Sequence, residues 1–328
     1  MKAIVMHGFG DTSVLVYEEI PIPKPQAHDL LVKVFATALN RCDIIQRQGI
    51  YKVPPGNSDI LGIEIAGEVV ACGNKVTCFK KGDRVFGYVN GGGYAQYCLQ
   101  DEYFASPLPA QFSYPQGAAI AEVFQTANES IFTYGQLQPN ETLLLNAAAS
   151  GVGTAGIQMA KSIGAKVIAL SGNNQKLAFC QNLGADYLIN YQTEDFVAKV
   201  NQYTHNQGVD LIVDAVGPEF LAKNISCLKY DGRLILIGLL AGHRAELDIA
   251  TFIAKRITMK GHNTRARNLV EQRLVTQRFR DQWLNLLIEN KIKPIIDTVF
   301  PIEQAALAQQ RMEDNLNIGK IILEIRHS

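Results

Sequence analysis

The spacing of hydrophobic positions along the chain changes near Pro115. Before it, short apolar runs such as residues 30–36 and 63–72 are separated by Gly, Pro and Asn, and residues 82–87 have the pattern of a turn that enters a strand. Short strands with turn residues between them are typical of β-sandwiches and barrels. The first part of the chain is therefore predicted to be a compact, mainly β domain with barrel-like character.

Beyond Pro115, apolar strands alternate with helical segments. A helix is predicted over residues 118–134, and buried strands are predicted over 142–145, 167–170, 187–189, 211–214 and 233–237. Between the first two strands, apolar residues recur at helical spacing until Gly164, a residue type that commonly ends helices. This alternation predicts a doubly wound parallel sheet, so the fold class is α/β.

After residue 265 the alternation stops. The remaining pattern predicts a helix over 270–290, a short strand between Pro294 and Pro301, a helix over 303–314 and a strand over 318–326. We expect this tail to fold back onto the first domain. The predicted domains are thus 1–120 together with 266–328, and 121–265.

A glycine-rich turn follows the predicted strand at 142–145. It contains Gly151, Gly153 and Gly156 at GxGxxG spacing and opens a helix. The first glycine permits a tight turn, the second lets backbone approach a pyrophosphate, and the third allows close helix packing. A helix N-terminus also attracts phosphate. We therefore predict that a dinucleotide binds at Ser150, Gly151, Val152 and Gly153; the alternative is a packing turn.

The end of the next strand indicates which dinucleotide binds. NAD-specific sites place an acidic residue there to accept from the ribose 2′-OH. Residues 169–176 contain no acidic residue. Hydroxyl and ammonium groups can instead donate to a 2′-phosphate. We therefore predict NADPH over NADH, with Ser171 and Lys176 as ligands; the alternative is an exposed turn of solvated polar residues.

Composition excludes several classes of function. The 328 residues carry a formal net charge of +0 and show no basic stripe, so nucleic acid is not an expected partner. No apolar run approaches the roughly 20 residues of a membrane span. Residues 1–7 have the pattern of a strand and not of a signal peptide. The six cysteines form no CxxC pair and are expected to be thiols in a reducing, cytoplasmic setting.

Several segments resemble one protein family. Residues 148–155, Ala-Ala-Ser-Gly-Val-Gly-Thr-Ala, resemble the nucleotide signature of the quinone oxidoreductase branch of the medium-chain dehydrogenase/reductase superfamily. Residues 39–43, 46–49 and Tyr51 resemble its substrate-cleft segment, and 61–64, 82–85 and 317–320 also match. The resemblance spans the chain and is closest to the tumour-suppressor-inducible quinone oxidoreductases, a zeta-crystallin-like group. It implies a GroES-like catalytic domain beside a Rossmann domain.

The resemblance also points to the absence of a metal. Zinc-dependent members of the superfamily have a ligand Cys where this chain has Asn40, and a His-Glu pair where it has Ile63 and Glu64. Isoleucine cannot bind zinc, and the four closely spaced cysteines of the structural zinc lobe are missing. Without a Lewis acid the acceptor must take hydride readily, as a quinone does. We therefore expect no metal.

The substrate-side candidates are Asn40 and Tyr51. Each can donate a hydrogen bond to a quinone oxygen that gains negative charge. The alternatives are a turn-stabilising amide for Asn40 and a loop anchor beside Pro54 and Pro55 for Tyr51. The resemblance further implies that Tyr191 holds the 2′-phosphate, the alternative being a tyrosine that caps a strand.

Further candidates surround the cofactor. Gly238, Leu239 and Leu240 follow a strand and would bring backbone near the nicotinamide. Thr126 is expected beside the nicotinamide, unless it is an ordinary helical threonine. Asn317 in the tail is expected to close the cleft on the cofactor.

The resemblance leaves three functions open. NADPH-dependent quinone reduction is the first prediction. The alternatives are reduction of 2-alkenals or enones and a non-enzymatic, crystallin-like role in NADPH binding. Residues 256–261 resemble the edge strand through which family members pair, so a homodimer is expected.

Overall fold

Residues 1–327 are described by the computed structural model, and they divide into two units. Unit 1 consists of Met1–Val123, Arg265–Glu289 and the residues from Pro294 on. Unit 2 consists of Phe124–Thr264 and Asn290–Lys293. Each unit has its own sheet, so each is described separately.

The elements follow one another in chain order. The strands are β1 (Lys2–Met6), β2 (Leu15–Glu19), β3 (Asp29–Ala38), β4 (Glu64–Cys72), β5 (Arg84–Tyr88), β6 (Tyr97–Asp101), β7 (Ala105–Pro107), β8 (Thr142–Asn146), β9 (Lys166–Ser171), β10 (Tyr187–Asn190), β11 (Val209–Asp214), β12 (Leu228–Leu236), β13 (Thr258–Gly261), β14 (Ile296–Pro301) and β15 (Lys320–Glu324). The α-helices are α1 (Arg41–Arg47), α2 (Tyr114–Ala118), α3 (Ala121–Ala127), α4 (Gly151–Ser162), α5 (Asn174–Asn182), α6 (Phe196–Tyr203), α7 (Pro218–Cys227), α8 (Ile249–Ala254), α9 (Leu269–Ile288) and α10 (Ala305–Glu313).

Unit 1 is built around a mainly antiparallel sheet. In the part of unit 1 that the structure describes, its strands lie in the order β14-β15-β3-β4-β5-β7, with β6 also paired to β3 and a separate β1-β2 ribbon. Along β3, buried Leu30, Val32, Val34 and Ala36 alternate with partly exposed residues, so one face packs into the core. The predicted mainly β, GroES-like domain is confirmed.

The last strand of the tail lies inside this sheet. β15 runs parallel to β14 on one side and antiparallel to β3 on the other. Its residues Ile321 and Leu323 join the core that contains Val32 and Val34. The tail therefore supplies both strands and core to unit 1.

Unit 2, whose residues are all described, contains a six-stranded parallel sheet in the order β10-β9-β8-β11-β12-β13. This is the strand order of a doubly wound nucleotide-binding fold, so the predicted Rossmann sheet is confirmed. Every residue of β11 is buried, as expected for a strand covered on both faces. β13 lies at the edge, and each of its residues is exposed.

The helix predicted over 118–134 is wrong as a single element. Ala118 ends α2, a second helix covers Ala121–Ala127, and Asn128–Tyr134 forms a π-helix. There the N–H of Gly135 donates to the carbonyl of Ser130, five residues back. Most residues of this segment are buried on all sides of the helix. The pattern of polar and apolar residues therefore does not reveal where the α-helix changes to a π-helix.

No helix of residues 1–327 has both the length and the apolar character needed to cross a bilayer. The six cysteines are free thiols. Burial raises the pKa of Cys98, Cys180 and Cys227 to about 12 in each case, so these thiols remain protonated and unreactive at neutral pH.

Glu102 makes unit 1 sensitive to acid. Its carboxylate is fully buried and accepts from His28 Nδ1 at 2.7 Å and from the N–H groups of Thr77 and Cys78 at 2.8 and 3.0 Å. Burial alone would raise the pKa of Glu102, but these hydrogen bonds more than offset it and lower the pKa from 4.5 to about 2. The carboxylate therefore stabilises the fold at neutral pH, and this stabilisation is lost as the pH falls from 4.5 towards 2.

Glu102→Gln is therefore expected to remove an acid-sensitive contribution to stability on the order of 2 kcal/mol at pH 7. Urea unfolding at pH 7 and pH 3 measures it. The difference in unfolding free energy between variant and wild type should shrink at pH 3. At that pH Glu102 is protonated in the unfolded chain, so much of the stabilisation by its carboxylate is already lost. The exposed Glu246→Gln variant is the control and should match wild type at both pH values. A Glu102→Gln effect of equal size at both pH values would contradict this account.

Candidate active site

The glycine turn of unit 2 forms the start of α4. Ser150 precedes the helix with extended backbone, and its Oγ accepts from the N–H of Gly153 at 3.1 Å. A Cβ on Gly153 would lie 2.3 Å from the carbonyl oxygen of Ala148, so only glycine fits there. A Cβ on Gly156 would lie 2.9 Å from Ile131 Cδ1, so this glycine allows the close packing of α4. The first N–H groups of the helix, including that of Val152, can then bind a pyrophosphate.

The three residues predicted to bind the 2′-phosphate lie at or just after the ends of β9 and β10. Ser171 ends β9, and the N–H of Tyr191 donates to its carbonyl at 3.2 Å. A Cβ on Gly172 would lie 2.9 Å from Tyr191 Oη, so the tyrosine hydroxyl lies against the turn that follows β9. Lys176 lies in the first turn of α5, after the same turn. Ser171 and Tyr191 thus lie at the carboxyl ends of the neighbouring strands β9 and β10, and Lys176 lies at the start of the helix that follows β9.

The remaining cofactor candidates lie in different places. Gly238, Leu239 and Leu240 follow β12, and a Cβ on Gly238 would lie 2.6 Å from the carbonyl oxygen of Ala215. The carboxyl ends of parallel strands share one edge, so these residues lie on the same side of the sheet as the glycine turn. Thr126 is buried in α3. Asn317 belongs to unit 1, where its amide donates to the carbonyl of Gly319 at 2.8 Å.

A buried hydrogen-bond chain, not predicted from the sequence, fixes the strand ends beside the glycine turn. Asn146 Nδ2 donates to Asn224 Oδ1 at 3.1 Å, and Asn224 Nδ2 donates to Asp214 Oδ2 at 2.9 Å. Asp214 also accepts from the N–H of Val216 at 2.7 Å. Asn146 and Asp214 end β8 and β11, so the chain holds these two strand ends together. In the sequence, only the position of Asn146 just before the glycine turn points to this hydrogen-bond chain.

In unit 1, Asn40 lies in a buried polar cluster. Its Nδ2 donates to Glu64 Oε1 at 3.0 Å and to the carbonyl of Ala38 at 3.3 Å, while its Oδ1 accepts from Lys320 Nζ at 2.6 Å. Lys320 Nζ also lies 2.8 Å from Glu64 Oε1, and both side chains are at most 4% exposed. All the hydrogen-bonding groups of the Asn40 amide therefore have partners within the protein.

The residues of this cluster do not fit a zinc ion. Beside Glu64 lie an amide and an ammonium group, and Ile63 supplies no ligand atom. Residues 1–327 contain no group of three or more His, Cys, Asp or Glu side chains placed to hold a metal. The Lys320 ammonium supplies positive charge next to Glu64 without offering a coordination site.

Asp43 orders the loop next to this cluster. Its carboxylate accepts from the N–H groups of Asn40 and Gly62 at 2.8 and 3.1 Å and from Tyr94 Oη at 3.1 Å. Burial raises the pKa of Asp43 to about 6, against the opposing effect of these hydrogen bonds and of the Lys320 charge. Its three hydrogen bonds join α1 to the loop before β4, so Asp43 orients the loop.

Tyr51 lies against a buried arginine. The guanidinium carbon of Arg265 is 4.9 Å from the centre of the Tyr51 ring, and Arg265 is only 6% exposed. Arg265 Nη1 donates to Gln46 Oε1 at 3.1 Å. Tyr88, 3% exposed, lies close enough for the Arg265 charge to act on its hydroxyl. Neither Arg265 nor Tyr88 belongs to a motif, and the sequence did not point to either residue.

Comparison with known proteins agrees with this arrangement. Residues 26–132 match the family profile "Alcohol dehydrogenase GroES-like domain", and residues 151–277 match "Zinc-binding dehydrogenase". A relative from Nematostella vectensis, "Quinone oxidoreductase-like protein 2 homolog", is 30% identical over 90% of this chain and 81% of its own length. The chain belongs to the quinone oxidoreductase-like branch of the medium-chain dehydrogenase/reductase superfamily.

Other members of this branch match over the full length. The mouse "Quinone oxidoreductase" is 29% identical over 98% of this chain and 97% of its own. The structure of Escherichia coli quinone oxidoreductase complexed with NADPH superposes with a TM-score of 0.91 at 27% identity, covering 99% of this chain and 100% of that one. The predicted superfamily and branch are thus confirmed. The protein is an oxidoreductase of this branch.

Proposed function

We propose that this protein reduces quinones with NADPH and without zinc. The observation that carries the proposal is the pairing of Glu64 with the Lys320 ammonium and the Asn40 amide, a set of groups that cannot hold a Lewis-acidic metal. The acceptor must then take hydride without activation by a metal. A quinone does so because its reduction produces an aromatic ring. The full-length similarity to quinone oxidoreductases supports the same choice.

NADPH, when bound, supplies the hydride. We propose that Ser150, Gly151, Val152 and Gly153 bind its pyrophosphate through the start of α4. Ser171, Lys176 and Tyr191 would bind the 2′-phosphate, because each offers a donor and residues 171–176 bring no carboxylate to repel it. The backbone of Gly238, Leu239 and Leu240, together with Thr126, would position the nicotinamide.

On the substrate side, we propose that the Tyr51 hydroxyl donates to the acceptor oxygen as negative charge develops there. The Tyr51 ring offers a flat surface against which a quinone can stack. Asn40 could reach the acceptor only by giving up a bond to Glu64 or Ala38, so its proposed contribution is to hold Lys320 and Glu64 in place.

We also propose the subgroup to which the protein belongs and its oligomeric state. Residues 148–155 and 39–43 support a place near the tumour-suppressor-inducible quinone oxidoreductases within the branch. The exposed edge strand β13 supports a homodimer formed by sheet extension.

The test is NADPH oxidation with a panel of acceptors: 1,4-naphthoquinone, a 2-alkenal and an enoyl thioester. We expect the quinone to react fastest, NADPH to be more efficient than NADH, and the rate to be unchanged by a chelator. A faster reaction with the alkenal or the thioester would favour the alternative reductase activity. NADPH binding without oxidation by any acceptor would favour a non-enzymatic role, and inhibition by the chelator would contradict a zinc-free reaction.

Tyr51→Phe is expected to lower kcat/KM for the quinone by about 10-fold or more, because one hydrogen bond to the developing negative charge is lost. Phenylalanine keeps the ring against Arg265, so the variant isolates the hydroxyl. The dissociation constant for NADPH should stay within about twofold of wild type. Tyr230→Phe, at an exposed tyrosine of unit 2, is the matched control and should leave both quantities unchanged. Full turnover by Tyr51→Phe would remove the hydroxyl from the reaction.

A further inference from the structure

Arg265 is a buried arginine whose hydrogen-bonding groups are only partly used. It is 6% exposed, and a guanidinium carries a positive charge and five N–H donors. Its Nη1 donates to the neutral Gln46 amide, while Nε and Nη2 have no hydrogen-bond partner among the described residues. The guanidinium carbon lies over the Tyr51 ring, 4.9 Å from its centre. In a guanidinium, Nε and Nη2 point to the same side of the plane, an arrangement that suits a ligand with two oxygens.

Other arginines of this chain show what the same edge binds. Nε and Nη2 together hold both oxygens of an aspartate, with N–O distances of 2.6 to 3.2 Å, in the pairs Arg256–Asp231, Arg273–Asp101 and Arg311–Asp297. This side-on geometry matches a planar carboxylate. The Nε–Nη2 edge of Arg265, which has no partner among the described residues, is therefore complementary in shape and charge to a carboxylate from outside the chain.

Tyr88 adds a second donor without a partner. Its hydroxyl has no hydrogen bond among the described residues, and the residue is 3% exposed. Burial raises the pKa of Tyr88 well above its usual value, so the hydroxyl keeps its proton and can donate. Its ring packs with Ile63 and Phe104, with Cys42 alongside, while the charges of Arg265 and Glu122 act on its hydroxyl. Unpartnered buried donors are rare in native proteins, and both Arg265 and Tyr88 belong to unit 1.

We propose that Arg265 and Tyr88 form a carboxylate-binding site in unit 1, with the Tyr51 ring as one wall, and that its ligands are flat, apolar carboxylic acids in their anionic form. Arg265 would hold both carboxylate oxygens through Nε and Nη2, and Tyr88 would donate to one of them. For turnover this rests on the proposed function, since it makes carboxylate-bearing quinones the preferred acceptors. The binding site itself does not depend on turnover.

The first experiment measures binding by calorimetry, using the full-length protein with and without NADP⁺. The probes are 2-naphthoate and its neutral isostere 2-naphthamide. Wild type should bind 2-naphthoate about 10-fold more tightly or better, whereas Arg265→Met should bind the two probes equally. Arg265→Lys, which keeps the charge but loses the fork, should retain an intermediate preference, and Tyr88→Phe should weaken it several-fold. Arg326→Met removes one exposed arginine of the same unit and should behave as wild type.

Equal affinity of wild type for the two probes would overturn the proposal, as would an undiminished preference in Arg265→Met. Arg265→Lys keeps the test valid if the methionine variant does not fold. A second assay compares NADPH oxidation by a carboxylated 1,4-naphthoquinone and by its methyl ester, with a lower KM expected for the acid. If the protein prefers 2-naphthoate but reduces no quinone, the proposed function is refuted and the carboxylate site stands. If it reduces quinones but prefers neither 2-naphthoate to 2-naphthamide nor the carboxylated quinone to its ester, the carboxylate site is refuted and the proposed function stands.

Discussion

Replacing Gly153 with alanine is expected to raise the dissociation constant for NADPH by about 100-fold, or roughly 2.7 kcal/mol. The added Cβ would lie 2.3 Å from the carbonyl oxygen of Ala148 and 2.7 Å from its Cα, so backbone must move. The atoms that must move carry the turn and its hydrogen bond between Ser150 Oγ and the N–H of residue 153. The dissociation constant is measured by titrating the protein into NADPH and following the change in NADPH fluorescence.

Gly261→Ala is the matched control for this substitution. A Cβ at Gly261 meets no atom within 4 Å, and its backbone is not in the left-handed region. This variant should therefore bind NADPH as wild type does. Unchanged affinity in Gly153→Ala, with a normal fold, would place the dinucleotide elsewhere.

Lys320→Met is expected to lower the unfolding free energy of unit 1 by about 3–5 kcal/mol, because it leaves the Glu64 carboxylate buried without its cation. It also removes the ammonium that binds the Asn40 amide. Urea unfolding can be followed by the fluorescence of Trp283, the single tryptophan, which is buried in α9 of unit 1. The signal thus reports on the unit that contains the ion pair.

The double variant Lys320→Met with Glu64→Gln should recover most of this loss. The glutamine removes the buried charge and can still accept the N–H of Glu122, which donates to Glu64 at 2.8 Å in the wild type. Lys81→Met, at an exposed lysine of the same unit, is the control and should change stability by less than about 1 kcal/mol. If Lys320→Met cost no more than this control, the ion pair would not be a determinant of the fold.

The glycine turn could be predicted from the sequence because its geometry is local. Ser150, Gly153 and Gly156 lie within one turn and the first turns of α4, and the spacing of glycines after an apolar run carries the information. The parallel sheet could be predicted for the same reason, since each buried strand is a short apolar run bounded by turn residues. The predicted strands of this sheet differ from the observed ones only in where they begin and end.

The polar sites of unit 1 could not be predicted in this way. Lys320 and Glu64 meet because β15 and β4 both pair with β3, a contact that no local pattern encodes. From the sequence, Asn40 is predicted to donate to the substrate or to stabilise a turn, whereas in the fold its amide pairs with Glu64 and Lys320. Arg265 differs from Asn40 because two of its nitrogens, Nε and Nη2, have no hydrogen-bond partner among the described residues. This feature can be recognised only once the neighbours of Arg265 in the fold are known.

The position of β15 has a consequence for how the chain is made. Lys320 donates to the carbonyl of Leu39, 281 residues earlier. During synthesis, β3 leaves the ribosome long before the strand that pairs with it, and all of unit 2 is translated in the interval. Unit 2 can acquire its sheet while translation continues, but β3 must wait with an uncovered edge. We therefore expect chaperones to engage nascent chains mainly through the N-terminal strands.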